Sequence, residues 1–283
     1  MAGRIPVELV DEFLRDCVLL SNRELAQKYQ RAVSTIKEWK QSLRDMGYVV
    51  PIRTQPDTLQ LESPLVIQDP NALVISDLQI PYLNVELFSL AIRIGVASGV
   101  KRVIVAGDIL NLDTISSWPQ LTPPPSLKEE LYIARERLEE LCMNFSEVYC
   151  IMGNHDARFV RHLQGELSLA DLGLPGKWSQ HWYCYLGRWM IVHPDGATSF
   201  RSLQDMADTY QSHVIAGHTH LWGMTKSRSG LYEVVQIGCM CDESRIPYMA
   251  LKRHRGPRWI GGFAVIQENI CYLYDEERAR RKV

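Results

Sequence analysis

Nine polar residues stand at or just beyond the ends of apolar runs, and their types suit metal chemistry. ALVISD carries Asp77, with Gln79 two residues on; KRVIVAGD carries Asp108; EVYCIMGNHD carries Asn154, His155 and Asp156; RWMIV leads to His193, and HVIAG to His218 and His220. Carboxylate, carboxamide and imidazole donors with no thiolate among them suit Mn²⁺, Fe or Zn²⁺, and a carboxylate between two ions can bridge them. Each residue taken alone would also serve as a turn or cap. Their joint occurrence at successive run ends is what favours ligation.

Such positioning needs buried strands joined by helices. ALVISD, KRVIVAGD and EVYCIMGNHD read as buried strands that end in polar residues, the pattern of strands covered on both faces. Between them, residues Val85 to Ser98, with Leu87, Leu90, Ile94 and Val96, and residues Ser126 to Asn144 read as helices, the second following a Pro-rich connection from Trp118 to Pro125. In strand–helix–strand units the C-terminal strand edge is where loops converge and helix N-termini offer amides, so sites form there.

This order of strand-end clusters, over about Ala72 to Asp275, resembles the calcineurin-like metallophosphoesterase superfamily. The resemblance implies an α/β fold, a four-layer sandwich of two mixed β-sheets flanked by helices, and two divalent metal ions, Mn²⁺ before Fe or Zn²⁺. Carried over, Asp108 resembles the bridging carboxylate, Asp77 and His220 ligands of the first metal, and Asn154, His193 and His218 ligands of the second. Gln79 departs from the family pattern, which has His there; a neutral carboxamide is a weaker donor and makes the first metal site weak. Two such ions would hold a bridging hydroxide and clamp a phosphate for in-line displacement. His155 is then the candidate general acid, Asp156 the residue that orients its ring, and Arg158 and Arg161 candidate phosphate contacts.

The start of the chain has another texture. Val7, Val10, Leu14 and Val18 recur at helical spacing after Pro6; Ser21 and Glu24 form a capping box for a short helix bearing Leu25, Ala26 and Tyr29; Ser34 is placed to cap a third helix that ends at Gly47. Ile36, Trp39 and Leu43 would be buried in it, with Thr35, Lys37, Lys40, Gln41 and Arg44 outward. The layout resembles a small all-α helix-turn-helix unit of the resolvase and transposase type, with Gln30 where such units favour Gly and Arg31 where they favour an apolar residue. The resemblance implies DNA contact by the outward residues. From Arg23 to Arg53 basic residues outnumber Glu24, Glu38 and Asp45, as phosphate attraction needs. A protein-interaction or dimerisation appendage is the alternative. The reading divides the chain into a helical domain over residues 1–50, a linker over 51–71 marked by Pro51, Pro56, Pro64 and Pro70, and the metallophosphoesterase domain over 72–283.

Composition sets the outer bounds. The 283 residues carry 31 Lys and Arg against 33 Asp and Glu, a formal charge of −2, so any pull toward nucleic acid is local. With 46% hydrophobic and 23% charged residues, disorder and collagen-like structure are excluded. No apolar run spans a bilayer, and Glu8, Asp11, Glu12 and Asp16 break the stretch a signal peptide needs, so a cytoplasmic protein is expected. Seven cysteines without regular spacing suggest no disulfide framework; Cys239 and Cys241, flanking Met240, read as small buried hydrophobes, with a soft-metal site the alternative. His162, His181, His213 and His254 have no ligand-like company. A basic stretch with Arg245, Lys252, Arg253, Arg255 and Arg258 beside Tyr248 and Trp259 suits either a polynucleotide backbone or a solvated loop. The function expected is DNA phosphodiester hydrolysis. The alternatives are a phosphatase or nucleotide phosphodiesterase on a small substrate, and a DNA-binding scaffold with a degenerate metal site.

Overall fold

The computed structural model describes residues 5–20, 22–50, 63–117, 122–196, 199–247, 249 and 259–283. Ser21, Pro51, Pro56, Trp118, Tyr248, Lys252, Arg253, Arg255, Arg258 and the side chain of Val18 lie outside them. The chain divides into two compact units, Met1–Leu61 and Glu62–Val283.

The first unit holds α1 (Val10–Leu19), α2 (Asn22–Lys28) and α3 (Val33–Asp45), preceded by a 3-10 turn at Val7–Leu9. Its core gathers Val10, Phe13 and Cys17 of α1, Leu25 and Ala26 of α2, and Ile36, Trp39 and Leu43 of α3. Phe13, Tyr29 and Trp39 meet edge to face, with ring centroids 5.4–6.1 Å apart. The expected face of α1 holds at Val10 and Leu14, but Val7 precedes the helix and is exposed, and Phe13 and Cys17 complete the buried face. Ser34 is not a cap, since α3 begins at Val33 with Ala32 before it and no capping side chain. A missing cap costs about 1 kcal/mol, whereas each buried Ile, Trp or Leu contributes about 1.5–3 kcal/mol or more, so packing sets where α3 starts. Gly47, at φ +85°, ends it as expected, and Tyr48 N–H closes the turn on Leu43 O at 2.9 Å. Gln30 takes φ +50°, the left-handed conformation that glycine favours at such a turn.

The second unit is built on two six-stranded mixed sheets. One runs β1 (Val66–Ile67), β6 (Tyr183–Leu186), β7 (Trp189–Val192), β8 (His213–Ala216), β10 (Glu233–Ile237) and β9 (Trp222–Lys226). The other runs β12 (Ile270–Asp275), β11 (Gly262–Gln267), β2 (Ala72–Ile75), β3 (Arg102–Ala106), β4 (Glu147–Ile151) and β5 (Lys177–Trp178). Alternation sorts each strand between two layers. Ala72 and Val74 of β2 pack between the sheets with Ile104, Ile191, Ile215 and Val235, while Leu73 and Ile75 face a helical layer. That layer includes α4 (Val85–Ala97), α5 (Leu127–Asn144), α6 (Asp156–His162) and α8 (Glu276–Lys282), and α7 (Phe200–Tyr210) covers the other sheet. Asn84 and Ser126 cap α4 and α5 through their side chains. Val96, expected on the apolar face of α4, is exposed. No helix among the described residues is long and apolar enough to cross a membrane.

Candidate metal centre

The parallel pairings β2–β3, β3–β4 and β7–β8 bring their C-terminal ends into register, so residues distant in sequence meet at one edge. The strands do not simply run out there. Asp77, Gln79, Asp108, His218 and His220 have φ of +54°, +41°, +51°, +77° and +57°. Left-handed backbone at a non-glycine residue costs roughly 1–3 kcal/mol and persists only where the surroundings enforce it. Here they do: Asp77 N–H donates to Gly107 O at 3.1 Å, Gln79 N–H to Asp108 O at 3.0 Å, and Gly217 N–H to Val192 O at 3.2 Å. Two glycines are required by close approach. A Cβ on Gly107 would lie 2.5 Å from His193 Nδ1, and one on Gly153 would overlap the Asp108 carboxylate.

Around Asp108 hydrogen bonds set the direction of His193. His193 Nδ1–H donates to Ala106 O at 2.9 Å, which turns Nε2 toward Asp108 Oδ2 at 3.3 Å and Asn154 Oδ1 at 3.1 Å. Ligand atoms of Asp108, His193 and His218 all lie within 4.8 Å of one another. Three such atoms within reach of one point can hold a cation between them. Burial by itself would lower His193, yet the carboxylates of Asp108 and Asp77 push it up to about 10; a divalent ion meets the same demand for positive charge. Burial would likewise raise Asp108, and His193 and His155 hold it below the usual carboxylate range. His218 is lowered, first by burial and then by His193. The donor set therefore fits a divalent metal.

On the Asp77 side the carboxylate accepts Ser76 Oγ–H at 2.6 Å and His218 N–H at 2.9 Å, and its other oxygen is 3.1 Å from His220 Nε2. Burial opposes ionisation of Asp77, but His220 and His193 hold it low; His220 is pushed up to about 9 against its own burial by Cys239 and Asp77. Gln79 is 2% exposed, its amide nitrogen 3.4 Å from His220 Nε2 and its Oε1 buried without a partner.

His155 and Arg158 join this edge; two other expectations do not hold. The His155 amide donates to Asp108 Oδ1 at 2.8 Å, and its ring Nδ1–H to Asn111 O at 3.0 Å. Its Nε2 is left facing Asp108 Oδ2 at 3.9 Å and Arg158 Nη2 at 3.2 Å. Burial, then Arg158, lower this ring, with Asp108 opposing. Asp156 does not orient it. That carboxylate accepts the amides of Ile109, Leu110 and Gly153 at 3.0–3.1 Å, tying the loop after β3 to the loop after β4. Burial and Asp108 push Asp156 up to about 7 despite those donors. Arg158 Nη1 also donates to Asn111 O, at 2.8 Å, whereas Arg161 is exposed one turn further along α6 and makes none of these contacts.

Two residues the sequence reading did not single out belong here. Asn111 is 1% exposed with both side-chain amide atoms unpartnered beside His155 and Arg158; a polar residue inside the apolar run ILNL was its only signal. Glu130 of α5, buried, accepts Leu112 N–H at 2.7 Å and holds the same loop. No sequence pattern links it to Asp108. Trp259 packs edge-on against His220, with centroids 3.9 Å apart.

The family model described as calcineurin-like phosphoesterase matches residues 71–258. No curated protein sequence matches the chain. Among solved structures, an archaeal phosphodiesterase is 15% identical, with 72% of this chain and 99% of that one covered at a TM-score of 0.41. YfcE, a phosphoesterase from E. coli, is 14% identical, with 71% and 90% covered at a TM-score of 0.40. The Pseudomonas putida nuclease MPE is 15% identical, with 72% and 88% covered at 0.38.

Proposed function

The chain belongs to the calcineurin-like phosphoesterase family, and from that premise we propose that it is a DNA nuclease: a hydrolase that cuts phosphodiester bonds at the strand-end centre and holds the polymer through α3. The family's chemistry uses divalent metal ions. When bound, such ions polarise the phosphoryl group and supply a nucleophile from water near neutral pH. Asp108, Asn154, His193 and His218 would hold one ion, and this oxygen-rich set with two imidazoles suits Mn²⁺; Asp77, Gln79 and His220 face the other.

The chain's own groups handle the phosphate. Arg158 offers a guanidinium that pairs with two phosphate oxygens at once. His155 is held by Asn111 so that Nε2 is the nitrogen that passes a proton to the leaving oxygen. Because that nitrogen faces Arg158, it accepts a proton most readily once a phosphate has drawn the guanidinium away.

The observation that carries the DNA reading is the two-faced α3. Ile36, Trp39 and Leu43 are buried while Lys37, Gln41 and Arg44 are exposed, with Thr35 and Lys40 half-buried beside them. The helix-turn-helix reading of this unit is supported by the left-handed turn at Gln30. Not every cation contributes: Lys28 is paired with Glu12 at 3.0 Å and Asp16 at 2.7 Å, leaving α3 the better contact surface.

The test uses full-length protein with Mn²⁺ on linear and circular, single- and double-stranded DNA, against a small phosphodiester. Lys37→Ala with Arg44→Ala is expected to raise KM for DNA about tenfold, flatten its salt slope by about 0.9 for each phosphate no longer neutralised, and leave small-ester turnover unchanged. An unmoved KM and salt slope would make a small phosphoester the better substrate. Turnover of neither class would favour a scaffold with a degenerate centre.

A further inference from the structure

The Asp77 strand end lies against a segment that carries two cysteines. Cys239 and Cys241 follow β10 in a segment fixed by backbone to the Asp77 strand end. Met240 N–H donates to Ser76 O at 3.0 Å and Asp77 O at 3.2 Å, Cys239 N–H donates to Ile260 O at 3.0 Å, and Cys241 bridges to Leu83. Met240 is wholly buried among the residues that pack on α4, while Cys239 and Cys241 join Tyr82, Ile246 and Trp259 on another side. One ligand atom from each of His220, Cys239 and Cys241 lies within 4.8 Å of the other two, and the three residues are 3%, 1% and 5% exposed.

Simple burial explains the placement of two small apolar side chains but not the polar atoms left around them. His220 Nδ1 and Gln79 Oε1 are both buried without a hydrogen-bond partner, and a buried unpartnered polar atom costs about 1–3 kcal/mol. The Cys239 thiol is 3.8 Å from Cys241 O and from Ile260 O and within hydrogen-bond reach of the Cys241 thiol. The two thiols are free rather than joined in a disulfide. Donors of borderline and soft character thus converge on one buried point beside His220.

We propose that His220, Cys239 and Cys241, packed against the Asp77 strand end, ligate a thiophilic divalent cation of the Zn²⁺ class. The assignment rests on the metal-centre reading above and deepens it. Each thiol gives up its proton to the solvent on ligation, and no electron is transferred. The two sides then differ in metal preference: oxygen and nitrogen donors around Asp108, nitrogen and sulfur donors beside Asp77.

Co²⁺ reports on this directly, because thiolate ligation produces a near-ultraviolet sulfur-to-cobalt charge-transfer band whether or not the protein is active. Full-length protein kept reduced with a phosphine is titrated with Co²⁺. The expected result is a band in the wild type, lost in Cys239→Ser and in Cys241→Ser with cobalt retention at this site weakened about tenfold or more, and kept in Cys142→Ser, which alters an exposed thiol of α5. Cobalt bound by the wild type without the band would overturn the sulfur assignment and leave the metal centre standing. A band surviving in the Cys239→Ser, Cys241→Ser double variant would do the same. No cobalt bound at all would overturn both.

Discussion

The two sides of the metal centre differ in how completely the protein has committed their atoms. On the Asp108 side most groups have a partner that fixes their direction: Ala106 O turns His193, the His155 amide holds Asp108, and the carboxylates of Asp156 and Glu130 pin the loop between them. Glycine at 107 and 153 lets those groups approach to contact. On the Asp77 side two buried polar atoms, Gln79 Oε1 and His220 Nδ1, have no partner, and two thiols stand close by. Buried polar groups are ordinarily satisfied. The contrast teaches that His193 and the carboxylates of the first side are oriented by the fold itself, whereas the second side leaves ligand atoms with hydrogen-bonding capacity unmet.

The sharpest way to break this contrast is Asp108→Ala, which removes the one carboxylate facing both His193 and His155. It is expected to abolish metal retention, measured by dialysis and elemental analysis, and to cut phosphoester turnover by roughly 10³-fold or more. His155→Ala, by contrast, should keep its metal and lose turnover by about 10²–10⁴-fold, most for esters with poor leaving groups. Full activity of that variant would remove the proton donor.

A second test concerns how rigidly the Asp108 loop is held. Burial raises Glu130 from 4.5 to about 7. Its folded-state value lies above its unfolded one, so its contribution to stability is fully present below about pH 4.5 and is lost as pH rises through about 7. Across that window wild type should lose on the order of 3 kcal/mol relative to Glu130→Gln, read by urea unfolding of both proteins at several pH values. Parallel pH profiles would show that Glu130 is not a buried ionisable anchor.

The smallest expected effect lies on the other side. Gln79→His replaces a neutral amide with imidazole and should lower the metal concentration needed for half-maximal activity by up to about tenfold, leaving turnover at saturation little changed. An unchanged titration would mean that position 79 does not face the ion.

How far the centre could be read in advance depended on the range of the forces involved. Asp77, Asp108, Asn154, His193, His218 and His220 were legible because each follows an apolar run, and a run of Val and Ile ending in a polar turn specifies a strand end from local properties alone. The two mixed sheets followed from the order of those runs and from the family resemblance they carry. The buried stripe of α3 was legible for the same local reason, through the spacing of Ile36, Trp39 and Leu43. The start of that helix was not, because Ser34 is a good cap by type while the packing of Trp39 and Leu43 decided the register.

Tertiary structure alone decided which neighbours each group would have. Arg158 and Arg161 are equivalent by composition and spacing, but only Arg158 lies where the loop after β3 passes, so only it reaches Asn111 O and His155. Asp156 is adjacent to His155 in sequence and turns instead to three amides across the loops. Glu130 and the cysteine pair come from segments with no sequence link to Asp108 or Asp77, and sheet registry sets them there. Sequence determined the kinds of ligand and the strand ends that bear them, since both are short-range properties of the chain. The pairing of those ends, and the unmet hydrogen-bonding capacity of Gln79 and His220 beside two thiols, arose only when distant segments packed, because burial and partner distance do not exist before the chain closes on itself.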